Sequence, residues 1–192
     1  MMLSTKRLVL SKPSIADFAL FSEILTCPQQ TRFLHNESPY NLVQRENYLR
    51  NRINHWEEHG FGTFVISLKD EGYEDALAQV SDEDAELEML VQAGTKLGFI
   101  GVEYTPVGSA VDIRFALTKE HEGFGYTSEA ASEILDFIAK NTPHRQIYGV
   151  AMPENQASKA VLVKLGMTPA LDVKLYEADD LDCFSLVLNL HQ

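Results

Sequence analysis

Two glycines carry the clearest chemical signal in this chain. Glu122-Gly123-Phe124-Gly125-Tyr126 follows a β-rich run and precedes an amphipathic stretch from about Thr127 to Lys140. A strand, a glycine-rich turn and a helix in that order suit an anion. The glycines let the backbone approach a ligand closely, and the free N–H groups and positive dipole of the helix start favour a phosphate. The turn is neither of two common nucleotide fingerprints. Ser128 stands where a dinucleotide motif needs its third glycine, and no Gly-Lys-Ser/Thr follows as in a P-loop.

Other reactive side chains are sparse. Cys27 and Cys183 lie far apart in no metal-like spacing and read as small apolar side chains of a reduced chain. His55 and His59 share a helix face at i, i+4, but no third ligand stands near them, so no metal is expected.

The elements that would position these residues can be read from periodicity. Arg7–Leu10 is a short opening strand. Ser14 caps a helix, with Asp17 as its capping-box partner and an apolar stripe of Ile15, Phe18, Phe21, Ser22 and Leu25; Pro28 ends it. A second helix runs from the cap Asn41, with Gln44 at N3, to His59, with Gly60 just past its end. Its incomplete stripe is Leu42, Arg45, Leu49, Ile53 and Trp56. Strands follow at Gly62–Leu68, Leu97–Tyr104 and Val111–Leu117, and another at Ile147–Met152. Ala157–Leu165 is a helix stopped by Gly166, and Asp172–Tyr176 with Phe184–Leu190 reads as a closing hairpin. This order predicts an α/β sandwich with a mixed sheet.

Composition bounds the function. The chain has 192 residues, 45% of them apolar, and a formal charge of −12. That balance argues against nucleic-acid or anionic-membrane partners, which need a basic surface. Nine of the acids fall between Lys69 and Lys96 against the two lysines at its ends, −7 of the total. A hairpin loop there would be about two to five residues, so 69–96 reads as an acidic insertion, with a helix over Ser81–Gln92. Lys6, Arg7 and Lys12 interrupt the only apolar run at the start, and no run of about eighteen apolar residues exists. A cytoplasmic location is therefore expected. Whether the chain forms a homodimer is left open.

Five motifs in one order resemble the GNAT superfamily of acetyl-CoA-dependent N-acetyltransferases, and most closely its RimJ/RimL-type branch of ribosomal-protein N-terminal acetyltransferases. They are Thr5–Leu10, Leu97–Gly101, Val111–Leu117, His121–Ala130, and the pair Asn155–Ser158 with Lys164–Met167. The resemblance covers nearly the whole chain and implies a single N-acetyltransferase domain over 1–192. Its fold would be a mixed, mostly antiparallel seven-stranded twisted sheet flanked by about four helices. The Val111–Leu117 and Ile147–Met152 strands would splay apart around the pantetheine of acetyl-CoA. No metal is implied.

The resemblance also implies roles. Backbone N–H groups of Glu120, His121, Glu122, Gly123, Phe124 and Gly125 would meet the pyrophosphate, with Tyr126 opening the helix beneath it. Phe115, Ala116 and Leu117 would border the coenzyme, with a backbone N–H near Ala116 or Leu117 as the oxyanion donor. Asn155 would bond the pantetheine, and Ser158 would act as acid toward the sulfur, because Leu162 replaces the family's tyrosine. Glu177 and Asp112 rank above Glu103 as general base. Three residues depart from the family pattern: Glu120 replaces Arg or Gln, Glu122 precedes the first glycine, and Phe124 replaces a basic residue. Lys119, Lys159 or Lys164 would offset the two carboxylates at the 3′-phosphate. The expected acceptor is a protein N-terminal α-amine. A small amine such as a polyamine or aminoglycoside is the alternative, and a non-catalytic acyl-CoA-binding module is the third reading. Selectivity would come from the first two helices, the Pro28–Pro39 loop and the closing hairpin.

Overall fold

The computed structural model describes residues 1–34, 38–70, 93–178 and 180–189. The helix expected over Ser81–Gln92 lies outside the described residues, as does most of the acidic insertion.

The strands are β1 (Met2–Ser4), β2 (Leu8–Ser11), β3 (Thr63–Lys69), β4 (Ala93–Tyr104), β5 (Val111–Leu117), β6 (Gln146–Ala151), β7 (Thr168–Pro169) and β8 (Asp182–Val187). The helices are α1 (Phe18–Thr26), α2 (Pro28–Thr31), α3 (Leu42–His59), α4 (Tyr126–Asn141) and α5 (Gln156–Lys164). One sheet holds all eight strands in the order β1-β2-β3-β4-β5-β6-β8-β7. Every neighbouring pair is antiparallel except β5 and β6.

Among the described residues the sheet has eight strands against the expected seven: the short edge strands β1 and β7 are added, and one expected strand is lost. The expected closing hairpin also differs. Asp172–Tyr176 forms no strand, and β8 pairs instead with Thr168–Pro169. A proline is tolerated there because β7 is the sheet's edge.

Local sequence explains the elements that position the site. Ser14 and Asp17 close the expected box: the Ser14 N–H and hydroxyl donate to Asp17 Oδ2 at 2.7 and 3.0 Å. The stripe of α1 is shifted from the expected one. Leu20, Phe21, Ile24 and Leu25 are buried, whereas Ile15 is 68% exposed, because residues 15–17 form a 3-10 turn that rotates it outward. Helix α3 begins and ends as expected, with a reciprocal Asn41–Gln44 box and Gly60 left-handed at φ 73°. Of its expected stripe, Leu49 and Trp56 are buried and Leu42 is exposed.

The glycines of Leu97–Gly101 are there for close approach. A Cβ on Gly98 would lie 2.1 Å from the Ala116 carbonyl oxygen, and one on Gly101 would lie 2.3 Å from the Gly62 oxygen. These glycines let β4 sit tightly between β3 and β5.

Helices α4 and α5 cover one face of the sheet, packing Ala130, Ile134, Ile138 and Leu162 against Phe64, Ile100, Val102, Ile113 and Ile147. Helices α1 and α3 cover the other face over β3, β4 and β5, with Phe21, Leu25 and Leu49 against Val65 and Phe99. Phe21 and Phe99 stack at 4.9 Å. No described helix is long and apolar enough to cross a membrane.

Candidate active site

Strands β5 and β6 run parallel but pair at only two positions, Asp112 with Tyr148 and Ile113 with Gly149. Beyond that vertex they diverge, and Arg114–Leu117 have no β6 partner. This is the expected V. A cavity of about 210 Å³ lies past its open end. Leu117, Gly123, Gly125 and Tyr126 line it, together with Thr127 and Ser128 of α4 and Ala160, Val161 and Lys164 of α5. The sequence reading missed Thr127, Ser128, Ala160 and Val161. Their signal was the helix face that Ala160 and Val161 share with Lys164, four and three residues away on α5, and the first turn of α4.

Gly123 and Gly125 are left-handed, at φ 83° and 81°. A Cβ on Gly123 would meet nothing within 4 Å, so conformation rather than space selects glycine there. The N–H groups of His121 and Glu122 already donate to the Thr118 and Lys119 carbonyls, at 3.0 and 3.4 Å. Past these two, outward-facing donors run from Gly123. They continue through Tyr126, Thr127 and Ser128, which have no carbonyl one helical turn back. This cradle of donors at the start of a sixteen-residue helix fits the phosphates of acetyl-CoA.

The side chains around the turn are mostly engaged. Glu120 and Phe124 are exposed, and Glu122 accepts from Gln30 Nε2 at 3.3 Å. Gln30 Nε2 also donates to the Leu117 carbonyl. His121 Nδ1 lies 2.6 Å from Thr118 Oγ1. Of the three lysines expected to offset the acids, Lys119 donates to Gln29 and Lys159 to Asp182 at 2.7 Å, while Lys164 lines the cavity.

Helix α5 starts at Asn155, whose Oδ1 accepts the Ser158 N–H at 3.1 Å. The Asn155 side chain is therefore an N-cap, and the Ser158 side chain is half-buried. Leu162 is 1% exposed and packs on Gly149, where a Cβ would lie 2.5 Å from Leu162 Cδ2. It contributes to the core and offers no acid.

The candidate bases differ sharply in setting. Register places Glu103, Asp112 and Arg114 on the sheet face that α1 and α3 partly cover. Glu103 is buried and fully engaged. Thr63 Oγ1 donates to its Oε1 at 2.7 Å, and Arg52 Nη1 and Arg114 Nη1 each reach Oε2 at 3.1 Å. Asp112 is 3% exposed. Its Oδ1 accepts from Arg114 Nε at 2.9 Å, and its Oδ2 accepts from the Tyr176 hydroxyl at 2.5 Å. Burial pushes the Asp112 carboxyl above the usual range, although Arg114 and Tyr176 oppose the shift. Glu177 is exposed on the loop before β8.

Tyr148 and Val150 of β6 share this sheet face with Cys183 and Ser185 of β8, and all four are half-buried. They form an open floor beside the vertex. Burial raises the Cys183 thiol above its ordinary range, and the Asp112 charge raises it further, so it is a poor nucleophile at neutral pH.

The two helix-face histidines belong to an aromatic cluster. His55, His59, Phe61, Tyr104 and His144 pack ring against ring, and His55 Nδ1 lies 2.8 Å from the Phe61 carbonyl oxygen. Among the described residues no group of three His, Cys, Asp or Glu side chains is arranged to hold a metal.

The model of the acetyltransferase (GNAT) domain matches residues 7–168. No curated protein matches the chain by sequence. Solved structures do. An acetyltransferase from Agrobacterium tumefaciens str. C58 is 21% identical with a TM-score of 0.78, covering 100% of this chain and 95% of that one. An acetyltransferase from Salmonella typhimurium, described as modifying the N-terminal serine of ribosomal protein L7/L12, is 14% identical with a TM-score of 0.69, covering 98% and 100%. The microcin C7 self-immunity acetyltransferase MccE, in complex with acetyl-CoA and AMP, is 12% identical with a TM-score of 0.63, covering 95% and 93%.

Proposed function

The chain belongs to the GNAT acetyltransferase family and is an acyltransferase that uses acetyl-CoA; from that premise we propose that its acceptor is a protein N-terminal α-amine. The observation that carries this reading is the charge balance of the floor. Its two buried carboxylates, Glu103 and Asp112, are each already held by arginine, Arg52 and Arg114. A polyamine or aminoglycoside carries several charges and needs unpaired carboxylates. A single α-amine, uncharged when it reacts, needs none. The family match spans the acidic insertion and supports reading 1–192 as one acetyltransferase domain. The motifs from Thr5 to Met167 support placing it with the RimJ/RimL-type branch. The likeness to the L7/L12 enzyme is one of fold.

Acetyl-CoA supplies the acetyl group as a thioester, and the α4 turn would hold its phosphates. The amine attacks the carbonyl carbon directly; the C–N bond forms, the C–S bond breaks, and no acyl group passes through the chain. Asp112, beside the vertex and with a raised pKa, is the proton acceptor we favour over Glu177. Glu103 is set aside because its partners are two arginines, which accept no proton, and the buried Thr63, so none can bring it one. The oxyanion donor is the Leu117 N–H. Thr118 donates to Leu97 on β4 at 2.8 Å, so strand alternation turns the preceding N–H toward the V. Ser158 donates a hydrogen bond to the departing sulfur.

Steady-state kinetics with an unstructured peptide, spermidine and an aminoglycoside test the acceptor. A kcat/KM at least about tenfold higher for the peptide is expected, a gap of about 1.4 kcal/mol in transition-state binding. A preference for either small amine overturns the proposed acceptor.

A further inference from the structure

Asp112 is too buried to meet an amine. At 3% exposure, with Oδ1 held by Arg114 and Oδ2 by Tyr176, it has no oxygen turned to the floor. Two members of its network reach solvent, Arg114 and Tyr176. Arg114 has no lone pair to accept a proton. The Tyr176 oxygen does. It donates its hydrogen to Asp112 at 2.5 Å and accepts one bond, from Arg114 Nη2 at 3.0 Å. A phenol oxygen has two lone pairs, and among the described residues one of them has no donor.

We propose that Tyr176 relays the acceptor amine's proton, delivered to it by water in the V, to Asp112. The proposal rests on the acetyltransferase reading of this site given above. As the nitrogen bonds to the thioester carbon, its N–H bond breaks and its proton passes to water in the V; that water gives up a proton of its own to the free lone pair of the Tyr176 oxygen. The original Tyr176 O–H bond breaks in the same step, and its proton joins Asp112 Oδ2. The phenol stays neutral throughout, and Asp112 ends protonated. Water takes that proton after the product leaves.

A neutral phenol is what this setting favours. Burial, the Asp112 charge and their hydrogen bond all push the Tyr176 hydroxyl above its ordinary range, so a free tyrosinate is disfavoured. The charged and titratable groups facing the pair are Arg114 from β5, Glu103 from β4, Arg52 and Tyr48 from α3, and Cys183 from β8. Arg52 and Arg114 both hold Glu103, which keeps Arg114 aimed at Asp112 and Tyr176.

The test compares Tyr176→Phe, Asp112→Asn and the double variant. Tyr176→Phe should lower kcat about 100-fold, as loss of a general base does, and leave acetyl-CoA affinity by calorimetry unchanged. Asp112→Asn should do the same, and the double variant should be no worse than either. Both single variants should lose the acidic limb of the kcat/KM profile that the wild type shows. Tyrosinate absorbance adds a readout independent of turnover: in Asp112→Asn one tyrosine should ionise at lower pH than in the wild type, and the double variant should lack it. If the wild type acetylates amines while Tyr176→Phe keeps its rate and pH profile, the relay alone is overturned. Additive losses, or a loss found only in Glu177→Gln, overturn it equally. A wild type that binds acetyl-CoA but acetylates no amine overturns the acetyltransferase reading and the relay together.

Discussion

Arg7 and Glu129 lie 122 residues apart in sequence and lock the opening strand to the glycine turn. Arg7 Nε reaches Glu129 Oε2 at 2.7 Å, while the Arg7 backbone N–H and the Thr5 hydroxyl reach Oε1 at 2.9 and 2.6 Å. Arg7 Nη1 also donates to the Phe124 carbonyl at 3.2 Å, and its guanidinium lies 4.5 Å from the centre of the Tyr126 ring. The Thr-x-Arg opening and the helix Glu are thus two halves of one clamp on the turn that would hold the coenzyme.

Arg7→Ala should therefore weaken acetyl-CoA binding by about fivefold and cost about 1 kcal/mol of stability, a modest figure because Arg7 is 42% exposed. Calorimetric titration and thermal unfolding measure both. The acid side offers a second check. Burial tends to raise the Glu129 carboxyl, but the bonds from Thr5 and Arg7 outweigh it and hold it below its ordinary 4.5. Its contribution is complete above that value and is lost as pH falls through the depressed one, so Glu129→Gln should flatten this part of the stability profile.

Gly125 is fixed by backbone conformation. The nearest atom to an added Cβ is Arg7 Nη2 at 3.7 Å, so there is room, but φ is 81°. Gly125→Ala should cost about 1–2 kcal/mol. Gly125→Asp should also place a negative charge among the phosphate donors and abolish detectable acetyl-CoA binding. An unchanged dissociation constant for the aspartate variant would remove this turn from the coenzyme site.

Ser158→Ala should lower kcat about tenfold while acetyl-CoA affinity holds, because the Ser158 N–H, not its hydroxyl, takes part in the Asn155 cap. Unaltered turnover would assign the sulfur to water.

His55 sets a pH dependence of folding. Its Nε2 accepts the Tyr104 N–H at 3.1 Å, which requires the neutral ring with the proton on Nδ1, donated to Phe61. Burial lowers its pKa below 6.5, although Glu103 and the Phe61 bond oppose this. The unfolded chain therefore takes up a proton near pH 6.5 that the folded chain refuses. The stabilisation is complete above that pH and is lost as pH falls through the lower folded value. The thermal midpoint should drop over that window, and less so in His55→Gln.

Much of this was legible in the sequence, where local rules act alone. The Asn41–Gln44 box, the Gly60 stop, the span Val111–Leu117 and the position of the V follow from caps, periodicity and motif order. What was not legible depends on partners distant in sequence. The 3-10 turn that moves Ile15 outward, and the pairing of β8 with Thr168–Pro169, are tertiary outcomes. So is the Tyr176 contact with Asp112, 64 residues away: Tyr176 looked like the end of a strand because its role needs Asp112 to be visible. Glu103 ranks below Asp112 and Glu177 because those two sit at positions the resemblance marks; the hold of Arg52, Arg114 and Thr63 on its oxygens is a separate, tertiary reason.

The most direct test of the account is intact-mass analysis after mixing the chain with acetyl-CoA and a peptide whose only amine is its α-amino group. Attack by the amine itself predicts one acetyl group on the peptide, equimolar free thiol, and a chain of unchanged mass with or without peptide. Acetyl retained on Cys27 or Cys183, or bound acetyl-CoA with no acetylated peptide, would contradict it.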